Sequence, residues 1–361
     1  MTTTDRLRYF AACNSENGFY SFYSRVFHEE LGQIYIIKGG PGTGKSSLMR
    51  RAADRAEQAG YRVEEIYCSS DPASLDGMIA FDENGQGKLA VLDGTAPHIR
   101  ELELAGARDS IFYVGDFWSE VSLIRQRDAI ANDIRQRADA YRRLFRYLHA
   151  AGQCVRNAED SIADGLDERR LRETVTSLLT EYPLGEGFAE KIMVTRSVGM
   201  KGPIRFPTLE QQASVIYRIR NRGNLAWRLL DEIYRQAQNR HLSVWVSREP
   251  LIPTRMDGIY LPESGRAFVV ENESENSVCA TESQEIRRIS MRRFLNPAFL
   301  ARAAGSLAEA EKNAGRLMQA AYGVLDEIRE IHFTLEKKYV DAMDFDGLNA
   351  YTERWLEKIL P

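Results

Sequence analysis

Apolar and polar positions change their spacing along the chain, and each change marks a different kind of element. Ile34-Tyr35-Ile36-Ile37 is a short unbroken apolar run, the mark of a strand buried on both faces. From Lys45 to about Ala59 the spacing becomes helical, and Gly60 supplies the stop. Arg62 to Cys68 sets Val63, Ile66 and Tyr67 among charges and predicts a second strand, broken by Ser69-Ser70-Asp71-Pro72. Asp82-Glu83-Asn84-Gly85 predicts a turn before a strand over Lys88 to Leu92, and Ser110 to Gly115 predicts another strand. Strands alternating with helices argue for an α/β fold, a parallel sheet with helices on both faces and functional groups at the strand C-termini.

Beyond Trp118 the pattern turns to long, charge-rich helix. Leu144, Tyr147, Leu148, Ala151 and Val155 recur at helical spacing, as do Leu317, Ala321, Val324, Ile328 and Ile331. Each half of the chain is therefore expected to carry an α-helical appendage. Its apolar stripe is a packing face, either between the halves or between subunits. Asn296-Pro297 suits an N-cap followed by proline in the first helical turn.

The chain also resembles itself. Asp76-Gly77 recurs as Asp257-Gly258, 181 residues on, and at that spacing Gly42 meets Gly223, Leu48 meets Leu229, Val63 meets Val244 and Pro72 meets Pro253. Gly87 to Asp93 corresponds to Gly265 to Glu271, and Asp164-Gly165-Leu166 to Asp346-Gly347-Leu348. Two copies of one unit are predicted, 1–185 and 186–361, joined where Pro183, Gly185 and Gly187 cluster.

At 361 residues and 43% hydrophobic composition the chain has room for two domains with real cores. Its longest apolar runs are strand-sized, which excludes a membrane span, and Met1 to Asp5 show no leader pattern, so the expected compartment is the cytoplasm. Cys13, Cys68, Cys154 and Cys279 are scattered without CxxC spacing, as reduced thiols would be, and the spacing argues against a metal site. A formal net charge of −4 offers no whole-protein field for nucleic acid.

Against that background one motif stands out. The strand at Ile34 runs into Gly39-Gly40-Pro41-Gly42-Thr43-Gly44-Lys45-Ser46-Ser47 and then into a helix, which is a Walker A phosphate loop in its required setting. Glycines allow the backbone conformations that leave a row of N–H groups pointing inward at an anion. Lys45 is placed to reach the β and γ phosphates, and the Ser46 hydroxyl to ligate Mg²⁺. Leu89-Ala90-Val91-Leu92-Asp93 has the form of a Walker B strand, whose acid would hold the Mg²⁺ hydration shell beside Ser46. Gly94 follows, where many hydrolytic relatives of this pattern carry a water-activating glutamate. His98 and Asp116 are the candidates for that task, with loop hydrogen bonding and helix capping as their plain alternatives. Asp71 and Asp76 would suit an acceptor substrate, or simply a turn. Arg287, Arg288, Arg292 and Arg293, and separately Arg142, Arg143 and Arg146, are basic clusters that could reach the site or merely be solvated.

In the second copy Gly44, Lys45 and Ser46 become Leu225, Ala226 and Trp227. That loop has lost the lysine, the hydroxyl and most glycines, and is expected to be a pseudo-site.

With the loop, Cys68-Ser69-Ser70-Asp71-Pro72, Leu92-Asp93-Gly94-Thr95-Ala96-Pro97-His98 and Gly115-Asp116-Phe117-Trp118 in view, the chain resembles a family of uncharacterised bacterial tandem P-loop ATPases. The resemblance spans nearly the whole length and implies ATP binding and a P-loop fold. Members often carry a phosphate loop in both halves, and the loss of the second here puts alternating sites in doubt. The expectation is an ATP-binding protein, a slow Mg²⁺-dependent ATPase acting as a nucleotide-driven switch on a protein partner or a second copy. A small-molecule kinase and a non-hydrolysing regulatory module are the alternatives. ATP is preferred to GTP because no Asn-Lys-x-Asp motif occurs.

Overall fold

The structure, a computed structural model, describes residues 6–182, 184–271 and 283–360; the readings above on Met1 to Asp5, Pro183 and Cys279 lie outside the described residues. Two six-stranded sheets form the two halves. In the first the spatial order is Leu7–Phe10, Arg62–Tyr67, Leu75–Phe81, Gly87–Asp93, Gln33–Lys38 and Asp109–Tyr113. In the second it is Glu190–Met193, Val244–Arg248, Met256–Leu261, Arg266–Glu271, Val215–Arg220 and Glu285–Ser290, the same order position for position.

The sheets are mainly parallel, with one correction to the expectation. Leu75–Phe81 and Met256–Leu261 run antiparallel to both neighbours. The cause is the length of the connection. Residues 68–74 close on themselves through Cys68 N–H to Ser74 O (2.9 Å) and Ser74 N–H to Asp71 O (2.9 Å), a hairpin-sized link, whereas a parallel pair needs a crossover of a dozen residues or more.

Alternation along the strands assigns the two faces. Ile37, Val63, Met78, Leu89 and Val91 pack on the helix Lys45–Gln58 through Leu48, Met49, Ala52 and Ala53. From the opposite face, Ile34, Ile36, Ala90 and Leu92 share one core with Ile216, Tyr260, Ala267 and Val269 of the second sheet. Long helices therefore cover one face of each sheet rather than both. The other faces of the two sheets are buried in common, together with Tyr23 and Val26 of the four-residue helix Tyr23–Val26 and Leu209 of Thr208–Gln211.

The appendages are exchanged between halves. The helix Arg127–Ala163 (37 residues) carries the chain about 55 Å and Pro297–Val340 (44 residues) about 66 Å. They lie against each other through Ala140, Leu144, Leu148 and Ala151 facing Ala321, Val324, Leu325 and Ile328. The expected stripes are thus the seam between halves, except that Tyr147 is exposed. At the far end of its long helix each half delivers a short one to the other sheet. Glu168–Leu179 buries Leu171, Val175 and Leu179 among Leu229, Leu230 and Ile233 of the second half. Phe345–Ile359 buries Leu348 and Leu356 beside Leu48 and Met49 of the first. The isolated bridges Trp118 to Met343 and Leu166 to Leu295 mark the two crossings. The caps of the short helices also correct the repeat register: Asp167, accepting from Arg170 N–H, is the counterpart of Asp344, accepting from Gly347 N–H, so Asp164 to Leu166 does not match Asp346 to Leu348.

Leu348→Ala should therefore destabilise the half to which it does not belong in sequence. Removing this buried side chain is expected to lower stability by about 2–5 kcal/mol. In hydrogen exchange the loss of protection should appear first in Gln33–Lys38 and Gly87–Asp93; loss confined to the second sheet would contradict the exchange.

Candidate functional site

The loop Gly39–Gly44 joins the strand Gln33–Lys38 to the helix Lys45–Gln58 at the C-terminal end of the parallel strands. Gly42 (φ +70°) and Gly44 (φ +84°) take left-handed conformations that side chains disfavour. Lys45 Nζ lies back across the loop, donating to Gly39 O (3.0 Å) and Gly40 O (2.6 Å), 3.6 Å from Asp93 Oδ2. Thr43 Oγ1 donates to Gly40 O (2.8 Å) and holds the turn. Ser46 Oγ accepts from Leu75 N–H (2.9 Å), which leaves a lone pair for a cation. Asp93 gives Oδ1 to Thr95 N–H (2.8 Å) and Oγ1–H (2.6 Å), so Oδ2 is the oxygen turned to Lys45. Burial pushes the Asp93 carboxyl above its ordinary pKa, against the opposing pull of Lys45 and Thr95.

These groups share one cavity of about 820 Å³ lined by Gly39 to Ser47, Asp93 and His98, together with Cys68, Asp71 and Asp76. Asp76 is there because the antiparallel strand begins where its parallel neighbours end. His98 Nε2 meets Asp76 Oδ2 at 3.0 Å, and its ring stacks on Tyr23 (centroids 4.5 Å apart) with Phe19 edge-on at 5.0 Å. Burial disfavours the His98 imidazolium, yet Asp76 more than offsets this and holds the pKa above the usual histidine value.

Asp116 does not join this group. It is exposed in the short 3-10 turn Val114–Phe117 and is not among the described residues lining the cavity, so the role foreseen for it is withdrawn. Arg287, Arg288, Arg292, Arg293, Arg142, Arg143 and Arg146 are also absent from the lining; Arg287 pairs with Glu285, Arg142 with Asp139 and Arg143 with Glu327. Asp71 does line it, 3.1 Å from Lys201 of the second half.

The roof was not foreseen. Ile134, Arg137, Tyr141 and Phe145 of one long helix, and His332 and Glu336 of the other, close the cavity. Arg137 Nη1 stands 3.5 Å from His332 Nδ1, and burial together with that guanidinium lowers the His332 pKa. The second long helix rests on the loop itself: a Cβ on Gly40 would come 2.6 Å from the Tyr339 ring, and one on Gly42 2.4 Å from Glu336 Cγ. No local pattern places Arg137 here, because its position depends on helix pairing over a long distance.

The second half shows what the same position becomes without a loop lysine. At the 181 spacing Cys68 becomes Glu249 and Asp76 becomes Asp257. Asp257 is held by Arg196 (2.7 Å), and Glu249 accepts from Leu251 N–H (3.1 Å) and Ile252 N–H (2.6 Å). Burial, with Asp257 adding to it, raises the Glu249 carboxyl from 4.5 to about 7. A raised carboxyl pKa supports the fold fully below about pH 4.5, where the unfolded chain is protonated too, and that support is lost as pH rises to about 7. The gap corresponds to roughly 3 kcal/mol. Glu249→Gln should flatten this part of the curve, gaining on wild type between pH 4.5 and 7 in denaturant midpoints; parallel curves would refute the assignment.

No protein-family model, curated protein or solved structure matches this chain.

Proposed function

We propose that the chain binds one nucleoside triphosphate with Mg²⁺ in the cavity over Gly39–Ser47 and acts as a slow nucleotide-driven switch between its halves. The observation that carries this reading is that the whole glycine loop, the Lys45 ammonium and the Asp93 carboxylate form one wall of a single cavity. A P-loop fold for each half is part of the same reading. The donors suit the ligand: backbone N–H groups and an ammonium for phosphate oxygens, a hydroxyl and a carboxylate for a hard cation and its waters. Bound Mg²⁺ would supply charge neutralisation between the phosphates. The residues themselves orient the chain of phosphates and exclude water from beneath it. Gly94, following Asp93, offers no carboxylate to water, which favours slow turnover.

The switch character rests on contact. Tyr339 and Glu336 belong to the second half and touch Gly40 and Gly42, so any movement of the loop is passed directly to the long helix. Among the described residues no helix is long and apolar enough to cross a membrane.

A second reading has its own support. Arg137, Tyr141, Phe145 and Met200, none of them part of the loop, line the same cavity and would suit a phosphoryl acceptor. Phosphate release measured with and without a panel of hydroxyl-bearing metabolites separates the two. Release without acceptor supports the switch, acceptor-dependent ADP formation supports a kinase, and binding without either supports a regulatory module. Absence of any nucleotide binding would refute all three.

A further inference from the structure

We propose that Cys68, Asp76 and His98 form a site for a zinc-class transition-metal ion on the cavity wall, separate from the Mg²⁺ position at Ser46 and Asp93. One ligand atom from each of the three lies within 4.8 Å of the others. Three ligands held about 2.0–2.3 Å from a tetrahedral ion are about 3.3–3.8 Å apart, so only small side-chain adjustments bring them onto one centre. The topology explains the meeting. Cys68 follows the strand Arg62–Tyr67, Asp76 is the second residue of the antiparallel strand Leu75–Phe81, and His98 lies in the loop after the strand Gly87–Asp93, three neighbours in the sheet whose relevant ends coincide.

The imidazole is also fixed in place beforehand. His98 is 7% exposed and presents Nε2 to Asp76 Oδ2 at 3.0 Å. Its ring is clamped between Tyr23 and Phe19, so its direction is set before any ligand arrives. The second half supplies the contrast. There Glu249 replaces Cys68, and the Asp257 carboxylate is neutralised by the guanidinium of Arg196. In the first half the group beside Asp76 is an imidazole, which can share a cation with it.

The chemistry of the set selects the ion. A thiolate and an imidazole are poor ligands for Mg²⁺, which demands oxygen, and good ones for zinc, cobalt or copper. Three protein ligands facing a cavity are the arrangement of an open site, with the fourth position left to water or to a substrate oxygen. All three residues line the cavity that holds the glycine loop, so that fourth position faces the space where a phosphate-bearing ligand would lie.

Cobalt(II) titration of the full, chelator-treated chain tests this, because thiolate-bound cobalt has a charge-transfer band in the near ultraviolet. One equivalent should saturate the band. Cys68→Ser should abolish it, and His98→Ala or Asp76→Asn should each weaken cobalt binding by at least about tenfold. No saturable band in the wild type, or a band that survives Cys68→Ser, overturns the proposal. His98→Ala keeps the thiol and gives an independent reading if the serine variant fails to fold: unchanged cobalt affinity there would be equally fatal. Lys45→Ala should keep the cobalt band while losing nucleotide, so the metal site and the nucleotide site stand or fall separately.

Discussion

Lys45→Ala should abolish measurable nucleotide binding, with affinity falling by at least about 100-fold in calorimetry while the thermal midpoint stays near that of the wild type. A hundredfold loss is about 2.7 kcal/mol, well above the 0–1 kcal/mol typical of an exposed ion pair. The larger figure is warranted because Lys45 is not an exposed ion. It is folded back on Gly39 O and Gly40 O, 3.6 Å from Asp93, inside a cavity whose other acids include Glu336, Asp71 and Asp76. Burial and the neighbouring Asp71 already lift the Glu336 carboxyl above its ordinary pKa, with Lys45 pulling the other way. Without the ammonium the wall becomes acidic just where phosphate would approach. Stability should change little, because the lysine's hydrogen bonds are to carbonyls that line a cavity and can turn to water. An alanine variant that binds nucleotide as tightly as the wild type would remove the basis for the proposed function.

The strand–loop–helix around Gly39 was legible because every part of it is local. Apolar run, glycine spacing and the helical stripe after Lys45 are dictated within about twenty-five residues. The duplication was legible for a related reason: the order of motifs survives even where Leu225, Ala226 and Trp227 have replaced the loop residues. What escaped was set by distance. Leu75–Phe81 reads as a strand only once the tightness of residues 68–74 is known, and its direction is what delivers Asp76 to His98. The exchange of short helices escaped for a stronger reason. Leu171, Val175 and Leu179 form an apolar stripe that would pack on any sheet, as would Leu348 and Leu356. Which sheet they reach is decided by a rigid helix about 55 or 66 Å long, and rigid length leaves no trace in local hydrophobic pattern. The same long-range pairing brings His332, Glu336 and Arg137 over the loop, so half of the cavity was invisible to any window read along the chain.

Restoring the lost loop should fail. The triple change Leu225→Gly, Ala226→Lys and Trp227→Ser recreates the motif of the first half, yet calorimetry is expected to find still one nucleotide per chain. The space has been rebuilt from the other side. Trp227 Nε1 donates to Glu159 Oε1 (3.1 Å), and the guanidinium groups of Arg228 and Arg255 lie over its ring at 4.4 and 4.9 Å. Arg255 also pairs with Glu159, a buried acid four residues before the end of its long helix, as Glu336 is before the end of the other. In the first half that acid borders a cavity; in the second it is bound up in a cation–indole cluster. A Cβ on Gly223 would come 2.2 Å from Ile162, so the loop has closed against the long helix. Leu225 and Ala226 are core residues of the second sheet, 0% and 1% exposed. Replacing the leucine alone should lower stability by about 2–5 kcal/mol, and a lysine at 226 adds a buried charge. The expected product is therefore a destabilised chain with one site. Two nucleotides per chain at wild-type stability would mean that only the motif had decayed and that the surrounding cluster yields to phosphate.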